Sequence, residues 1–91
     1  LDPGFGFAKT TEQNYELLAG LGELCALGYP VLAGLSRKSM IYKVLGVTPA
    51  ESLAGTVALG GECLRQGAKI LRVHDVREAA DTVRLFNMFR R

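Results

Sequence analysis

The sequence predicts an α/β fold: the C-terminal part, about three βα units, of a (β/α)8 TIM barrel. Three observations carry this. Short strand-like runs at Leu1-Asp2, Val31 to Leu35 and Lys69 to Val73 alternate with longer stretches of helical periodicity. The runs recur at roughly 35 residues, the length of a βαβ unit, whose crossover is right-handed almost without exception. Each run leads into a junction that carries polar or charged residues, the place where parallel α/β proteins bind ligands. No GxGxxG or P-loop pattern is present, which counts against the doubly wound alternative. Three units are too few to close a barrel, and Leu1-Asp2 reads as the end of a strand begun elsewhere. Residues 1–91 are therefore expected to be a fragment of one barrel domain.

The elements follow in order. Pro3, Gly4 and Gly6 forbid regular structure and give a loop reaching about Lys9. Thr10, with Gln13, forms a capping box that starts the first helix. Leu17, Leu21 and Leu24, flanked by Leu18 and Cys25, supply its buried stripe, and Gly28 and Pro30 stop it. The second strand, Val31 to Leu35, is apolar throughout, as expected of a strand covered on both faces. A short helix over Met40 to Leu45 breaks at Gly46. Thr48-Pro49-Ala50-Glu51 is a second capping box, opening a helix to about Gln66 that buries Leu53, Val57 and Leu64 before Gly67 caps it. Gly60-Gly61 inside that helix costs roughly 1 kcal/mol per glycine relative to alanine, and close helix packing is one explanation for the pair. The third strand, Lys69 to Val73, leads to a last helix. Asp75 is its expected cap and Glu78 completes a third capping box. Ala79, Val83 and Phe86 form its inner stripe, and Arg90-Arg91 place positive charge at the negative end of its dipole.

Bulk properties exclude several classes. Apolar residues make up 48% and charged residues 22%, the balance of a globular protein. A net charge of +2 is too small to imply a nucleic-acid partner. Cys25 and Cys63 lie in separate helices without CxxC spacing, and read as buried free thiols suited to a reducing compartment. No apolar run approaches the roughly 20 residues of a membrane span, and no signal peptide is visible. The expectation is a cytoplasmic protein.

Strand parity sorts the junction residues. Ile70, Arg72 and His74 share one face, and Leu71 and Val73 the other. In a barrel the polar set would face the lumen at its C-terminal mouth. Arg72 offers a fork of donors suited to phosphate and His74 could donate to the same anion; alternatively Arg72 pairs with a core carboxylate and His74 helps cap the last helix. Gly34, Ser36 and Lys38 likewise share a face, with Leu35 and Arg37 opposite. A lumen-facing glycine leaves room for a ligand beside Lys38, and Arg37 reads as a structural pair on the outer side. Ser39 contacts substrate or caps the short helix. Asp2 could accept hydrogen bonds from a ligand's N–H groups, or simply form a turn before Pro3. Phe5 and Phe7 could cover a planar ligand or pack the loop down. Burying the lumen-side surface of Val31-Leu32-Ala33 and Ile70 is expected to need further strands or a second copy.

Three motifs, Leu1-Asp2-Pro3-Gly4-Phe5-Gly6-Phe7, Gly34-Leu35-Ser36-Arg37-Lys38-Ser39 and Arg72-Val73-His74-Asp75-Val76, stand in order along the chain. Together they resemble the last three strand-end motifs of the dihydropteroate synthase family. The resemblance implies that 6-hydroxymethyl-7,8-dihydropterin diphosphate is joined to 4-aminobenzoate in folate biosynthesis, and that sulfonamides inhibit. It implies pterin binding by Asp2, Lys38 and Arg72, and diphosphate binding by Arg72 and His74. Gly6, Phe7, Lys38 and Ser39 match the aminobenzoate pocket, and Lys38, Arg72 and His74 are the implied catalytic groups. Mg2+ is implied with its asparagine ligand outside this chain, so no metal ligand is expected here. The resemblance further implies a homodimer, a missing N-terminal half of the barrel as partner, and a chain inactive on its own. Two other readings stand beside it: a pterin-binding methyltransferase on the same scaffold, and a non-catalytic half-barrel that associates with another chain.

Overall fold

Two short parallel strands, β1 (Leu32–Ala33) and β2 (Ile70–Leu71), pair with Leu32 opposite Ile70 and Ala33 opposite Leu71. The computed structural model describes residues 1–7 and 9–90. Arg91, part of the expected positive helix end, and Ala8, within the first loop, lie outside them. Leu1 sits along the other edge of β1: the Leu32 N–H donates to its carbonyl at 2.7 Å and its ammonium donates to Pro30 O at 2.7 Å. The first residues thus lie beside the sheet as the expected strand end. Both strands are shorter than predicted. Beyond Ala33 the hydrogen bonds go to turn and side-chain partners instead, such as Lys38 N–H to Leu35 O at 3.2 Å.

The helices alternate with these strands and with the Leu1 end beside them, as in part of an α/β barrel. The first predicted helix is two, α1 (Thr11–Ala19) and α2 (Leu21–Cys25), broken at Gly20. Thr10 and Gln13 close the capping box as expected. At the break, Gln66 lends its amide to the freed backbone groups: Gly22 N–H donates to its Oε1 at 2.8 Å and its Nε2 donates to Leu18 O at 2.6 Å. Leu18 and Leu21 are buried, while Leu17 and Leu24 are only partly so.

Helix α3 (Ser39–Leu45) ends at Gly46 in the left-handed conformation. The helix predicted from Pro49 divides into a 3-10 turn, Pro49–Glu51, and α4 (Leu53–Arg65). Buried Ser52 lies between them and donates its hydroxyl to Pro49 O at 2.6 Å. The face α4 buries is Thr56, Gly60, Cys63 and Leu64. Leu53 and Val57, expected in the core, are half-buried, because small residues lie against the sheet and these two flank a narrow crevice facing the last helix.

Gly60-Gly61 is not a site of tight packing. A Cβ at either position would meet its nearest neighbour at 3.8 or 3.9 Å, an ordinary contact. The close approach is at Gly55, where a Cβ would stand 2.6 Å from Ile41 Cγ2.

Helix α5 (Val76–Phe89) packs on α4 and buries Phe86, with Ala79 and Val83 half-buried. Arg90 is its C-cap residue and lays its guanidinium 5.5 Å from the Phe86 ring centre. The core joins Phe5, Leu18, Leu21, Val31, Ala33, Leu35, Met40, Ile41, Cys63 and Ala68. Val31 and Ala33, expected to need cover from further strands, are already buried among these residues, since their parity turns them toward the helices. Leu32 is half-buried and Ile70 is 50% exposed on the opposite side. Both thiols are free; Cys63 is buried and Cys25 half-buried. Burial pushes the Cys63 thiol up to about 12, so it stays protonated at neutral pH. Among the described residues no helix is long and apolar enough to cross a membrane.

Candidate functional site

Lys38 stands where two clefts meet. One, of about 300 Å3, is lined by Gly34, Ser36, Lys38, Arg72, Val73 and His74. The other, of about 370 Å3, is lined by Phe5, Gly6, Phe7, Arg37, Lys38, Ser39, Tyr42 and Pro49. The crevice between α4 and α5, at about 20 Å3, is too small for more than a water.

The first cleft follows from strand parity and register. Pairing at an offset of 38 residues continues past the ladder, so Ser36 lies beside His74. A Cβ on Gly34 would stand 3.1 Å from Arg72 Nε, so a side chain there would push the guanidinium from its place by a few tenths of an ångström. Arg72 is exposed and, among the described residues, meets no carboxylate; the reading of it as half of a core ion pair is not realised. His74 does not cap α5. Its backbone N–H donates to Ser36 Oγ at 3.2 Å, and its Nδ1 lies 2.9 Å from the same oxygen.

On the opposite side the register pairs Arg37 with Asp75, as the outer structural pair expected. Arg37 Nε and one terminal nitrogen each donate to an Asp75 oxygen at 2.8 Å, and the other terminal nitrogen donates to Pro49 O and Ala50 O. Its backbone N–H donates to Thr56 Oγ1 at 3.0 Å. These anchors hold it at φ 54°, the left-handed region that non-glycine residues seldom enter. The Arg37 hydrogen bond also holds the Asp75 carboxyl below the usual carboxylate range. Asp75 occupies the N-cap position but makes no side-chain cap bond, so the third capping box does not form. A bidentate charged pair outcompetes a single cap contact.

Lys38 projects from the N-cap of α3 and is half-buried. Its Nζ donates to Phe5 O at 2.6 Å and lies 5.4 Å from the Phe7 ring centre. Burial first, then the nearby Arg72 charge, hold its ammonium below the ordinary lysine value, with Asp2 opposing them. Gly6 lies so near that a Cβ there would stand 3.3 Å from Lys38 Cδ. The two readings of the loop aromatics divide: Phe5 is packed into the core and Phe7 is 67% exposed beside Lys38.

A residue that sequence reasoning missed shapes this loop. Asn14, 2% exposed, accepts the Gly6 N–H at 2.8 Å and donates to Thr10 O at 3.1 Å. The available signal was a polar residue on the buried side of α1, four positions after its cap. Tyr42 and Pro49 were likewise missed as lining residues. Ser39 lines the second cleft as the first residue of α3, not its N-cap. Asp2 is exposed and lines neither cleft; its Oδ1 accepts Gly4 N–H at 2.9 Å, the turn contact expected before proline. Among the described residues no group of three or more His, Cys, Asp or Glu could hold a metal ion.

Comparison with known proteins agrees with this geometry. The family described as pterin binding enzyme matches residues 1–74. The dihydropteroate synthase of Haemophilus influenzae is 49% identical over 85 residues, covering 93% of this chain and 31% of that protein. The chain thus spans about a third of the length of the curated relatives it matches. The Yersinia pestis dihydropteroate synthase, solved with a sulfonamide drug, superposes with a TM-score of 0.95 at 46% identity, over 99% of this chain and 33% of that one. The Thermus thermophilus enzyme, solved with 4-aminobenzoate, gives 0.94 at 44% identity over 100% and 38%.

Proposed function

Because the chain belongs to the pterin binding enzyme family, we propose that it is part of a dihydropteroate synthase and supplies one wall of its active site. The observation that carries this is Lys38 standing between a cleft with an unpaired guanidinium and a cleft with an exposed aromatic ring. Pterin diphosphate would occupy the first cleft and 4-aminobenzoate the second.

The carbon–oxygen bond at the pterin's exocyclic methylene breaks to give a resonance-stabilised pterin cation, its electron pair leaving on the diphosphate oxygen. The amine nitrogen then attacks that carbon and gives up one proton to water. Charge therefore develops on the departing diphosphate, and fixed donors aimed at it lower the barrier. Arg72 and His74 are those donors. Lys38, its Nζ held by Phe5 O, contacts both reactants. Asp2, outside both clefts and holding Gly4 N–H with Oδ1, keeps Oδ2 for pterin N–H groups, a role that rests on the family resemblance. Gly6, Phe7 and Ser39 hold the aminobenzoate ring; sulfonamides would compete there. Mg2+ is proposed to accompany the diphosphate on an asparagine outside this chain. Among the described residues no group of three or more His, Cys, Asp or Glu stands where it could hold the ion.

The remaining strands of an eight-unit barrel would cover Leu32 and Ile70, and without them the chain is expected to have no synthase activity and to associate or unfold. Sedimentation showing a compact monomer would overturn that expectation. A homodimer is proposed on the same resemblance, with Leu85, Met88 and Phe89 of α5 offering an exposed apolar surface. A cytoplasmic setting suits the free thiols.

The test is diphosphate affinity in the complete protein. Arg72→Ala should weaken it by ~1.5–3 kcal/mol, as for loss of a charge-assisted hydrogen bond, and His74→Ala by less. A methyltransferase on this scaffold needs no Arg72–His74 anion site. Unchanged affinity in both variants by calorimetry would favour that reading or a non-catalytic half-barrel.

A further inference from the structure

We infer that Ser36 is a positioning residue whose hydroxyl holds His74 in the tautomer that presents Nε2–H to the diphosphate. The inference rests on the reading of the first cleft given above.

Ser36 is only 5% exposed, and its Oγ has two partners, both on His74: the backbone N–H at 3.2 Å and Nδ1 at 2.9 Å. The backbone group can only donate, so the oxygen accepts there. A serine hydroxyl also carries one proton, which needs an acceptor. If Nδ1 bore the ring proton, Oγ would accept twice and its own hydrogen would be buried without a partner, which is costly. If Oγ donates to Nδ1, the hydroxyl proton and the His74 backbone N–H are both satisfied. The ring proton then sits on Nε2, which has no hydrogen-bond partner among the described residues. His74 lines the cleft beside Arg72, so that N–H is a donor for the anion.

The geometry is held from both sides. Ser36 and His74 are cross-strand partners in the register of the ladder. The residues that follow them, Arg37 and Asp75, form the bidentate pair on the opposite face. A histidine free to rotate or to exchange tautomers would present a lone pair to the diphosphate part of the time. Ser36 removes that option.

The test uses the complete protein labelled with 15N-histidine, with the His74 signals assigned through His74→Gln. Long-range 1H–15N correlations in mildly alkaline solution, where imidazoles are neutral, are expected to show His74 protonated at Nε2 and bare at Nδ1. Protonation at Nδ1 in the unmutated protein overturns the inference without any variant. Ser36→Ala is expected to lose the single-tautomer pattern and to weaken inorganic diphosphate binding roughly five- to tenfold, the loss of about one hydrogen bond. In the His74→Gln background, whose amide has no tautomer to set, Ser36→Ala should change binding less than about twofold. Equal losses in both backgrounds would mean that Ser36 only supports the backbone. Arg72→Ala in the same titration separates the two levels. If it weakens binding and Ser36→Ala does not, the serine inference alone fails; if Arg72→Ala has no effect, the diphosphate reading itself fails.

Discussion

Replacing Lys38 by alanine in the complete protein is expected to lower synthase kcat/KM on the order of 100- to 1,000-fold, the cost of deleting a preorganised electrostatic group, while thermal stability is nearly kept. Arg37→Ala should do the reverse: a lower Tm, with turnover per folded molecule largely retained. The two residues are adjacent, so their difference is one of face. Lys38 reaches both clefts, and its ammonium donates to a loop carbonyl. Arg37 borders the second cleft too, but its guanidinium is taken up by Asp75 and two carbonyls of the 3-10 turn, so its role there is to hold the wall. Acid provides a second reading of the pair. The folded Asp75 carboxyl lies below its ordinary value of 3.8, so the pair's contribution is fully present above that pH and is lost as the pH falls through the lower, folded value. The Tm gap between Arg37→Ala and the unmutated protein should therefore be steady near neutrality and close in strong acid. Equal activity losses from Lys38→Ala and Arg37→Ala, with both variants folded, would overturn the separation.

Part of this site was legible because strand parity is a rigid rule: reading Val31 to Leu35 and Lys69 to Val73 as strands puts Gly34 and Arg72 on one face. Ser36, Arg37 and Lys38 lie beyond β1 in a turn with Arg37 at φ 54°, and their contacts to His74, Asp75 and Phe5 keep the predicted faces there. Parallel pairing then brings Gly34 to Arg72 and Ser36 to His74. What sequence could not supply was competition between partners. Asp75 had the sequence context of a helix cap, yet Arg37 arrives from 38 residues away and takes both oxygens. The first helix had an unbroken apolar stripe, yet it breaks at Gly20 where Gln66 offers its amide to the freed groups. Both outcomes are set by long-range hydrogen bonds that leave no local periodicity. Asn14 is the intermediate case: its place on the buried side of α1 was visible, but its bond to Gly6 was not.

Gly55→Ala is expected to destabilise the protein, whereas Gly60→Ala and Gly61→Ala are expected to be neutral or stabilising, although all three glycines lie in α4. Helix propensity alone favours alanine at each position by roughly 1 kcal/mol. Space decides the sign. At Gly60 and Gly61 the added methyl would meet Leu71 Cδ1 at 3.8 Å and Thr82 Cγ2 at 3.9 Å, ordinary contacts that add some dispersion. At Gly55 it would meet Ile41 Cγ2 at 2.6 Å and Leu45 Cδ1 at 3.0 Å. Ile41 is 2% exposed and β-branched, so its methyl cannot rotate away within a helix. The helices must therefore separate, at a typical overpacking cost of ~1–3 kcal/mol, which exceeds the propensity gain. Gly55→Val adds two further methyls and should cost more than Gly55→Ala, a large share of the roughly 5–15 kcal/mol that holds a domain together. The displaced element is α3, whose first turn carries Lys38 and Ser39 into the second cleft, so Gly55→Ala should also weaken 4-aminobenzoate binding. Denaturant titration orders the variants: Gly55→Ala proving as stable as Gly60→Ala would show that α3 and α4 do not meet as closely as Ile41 and Gly55 require.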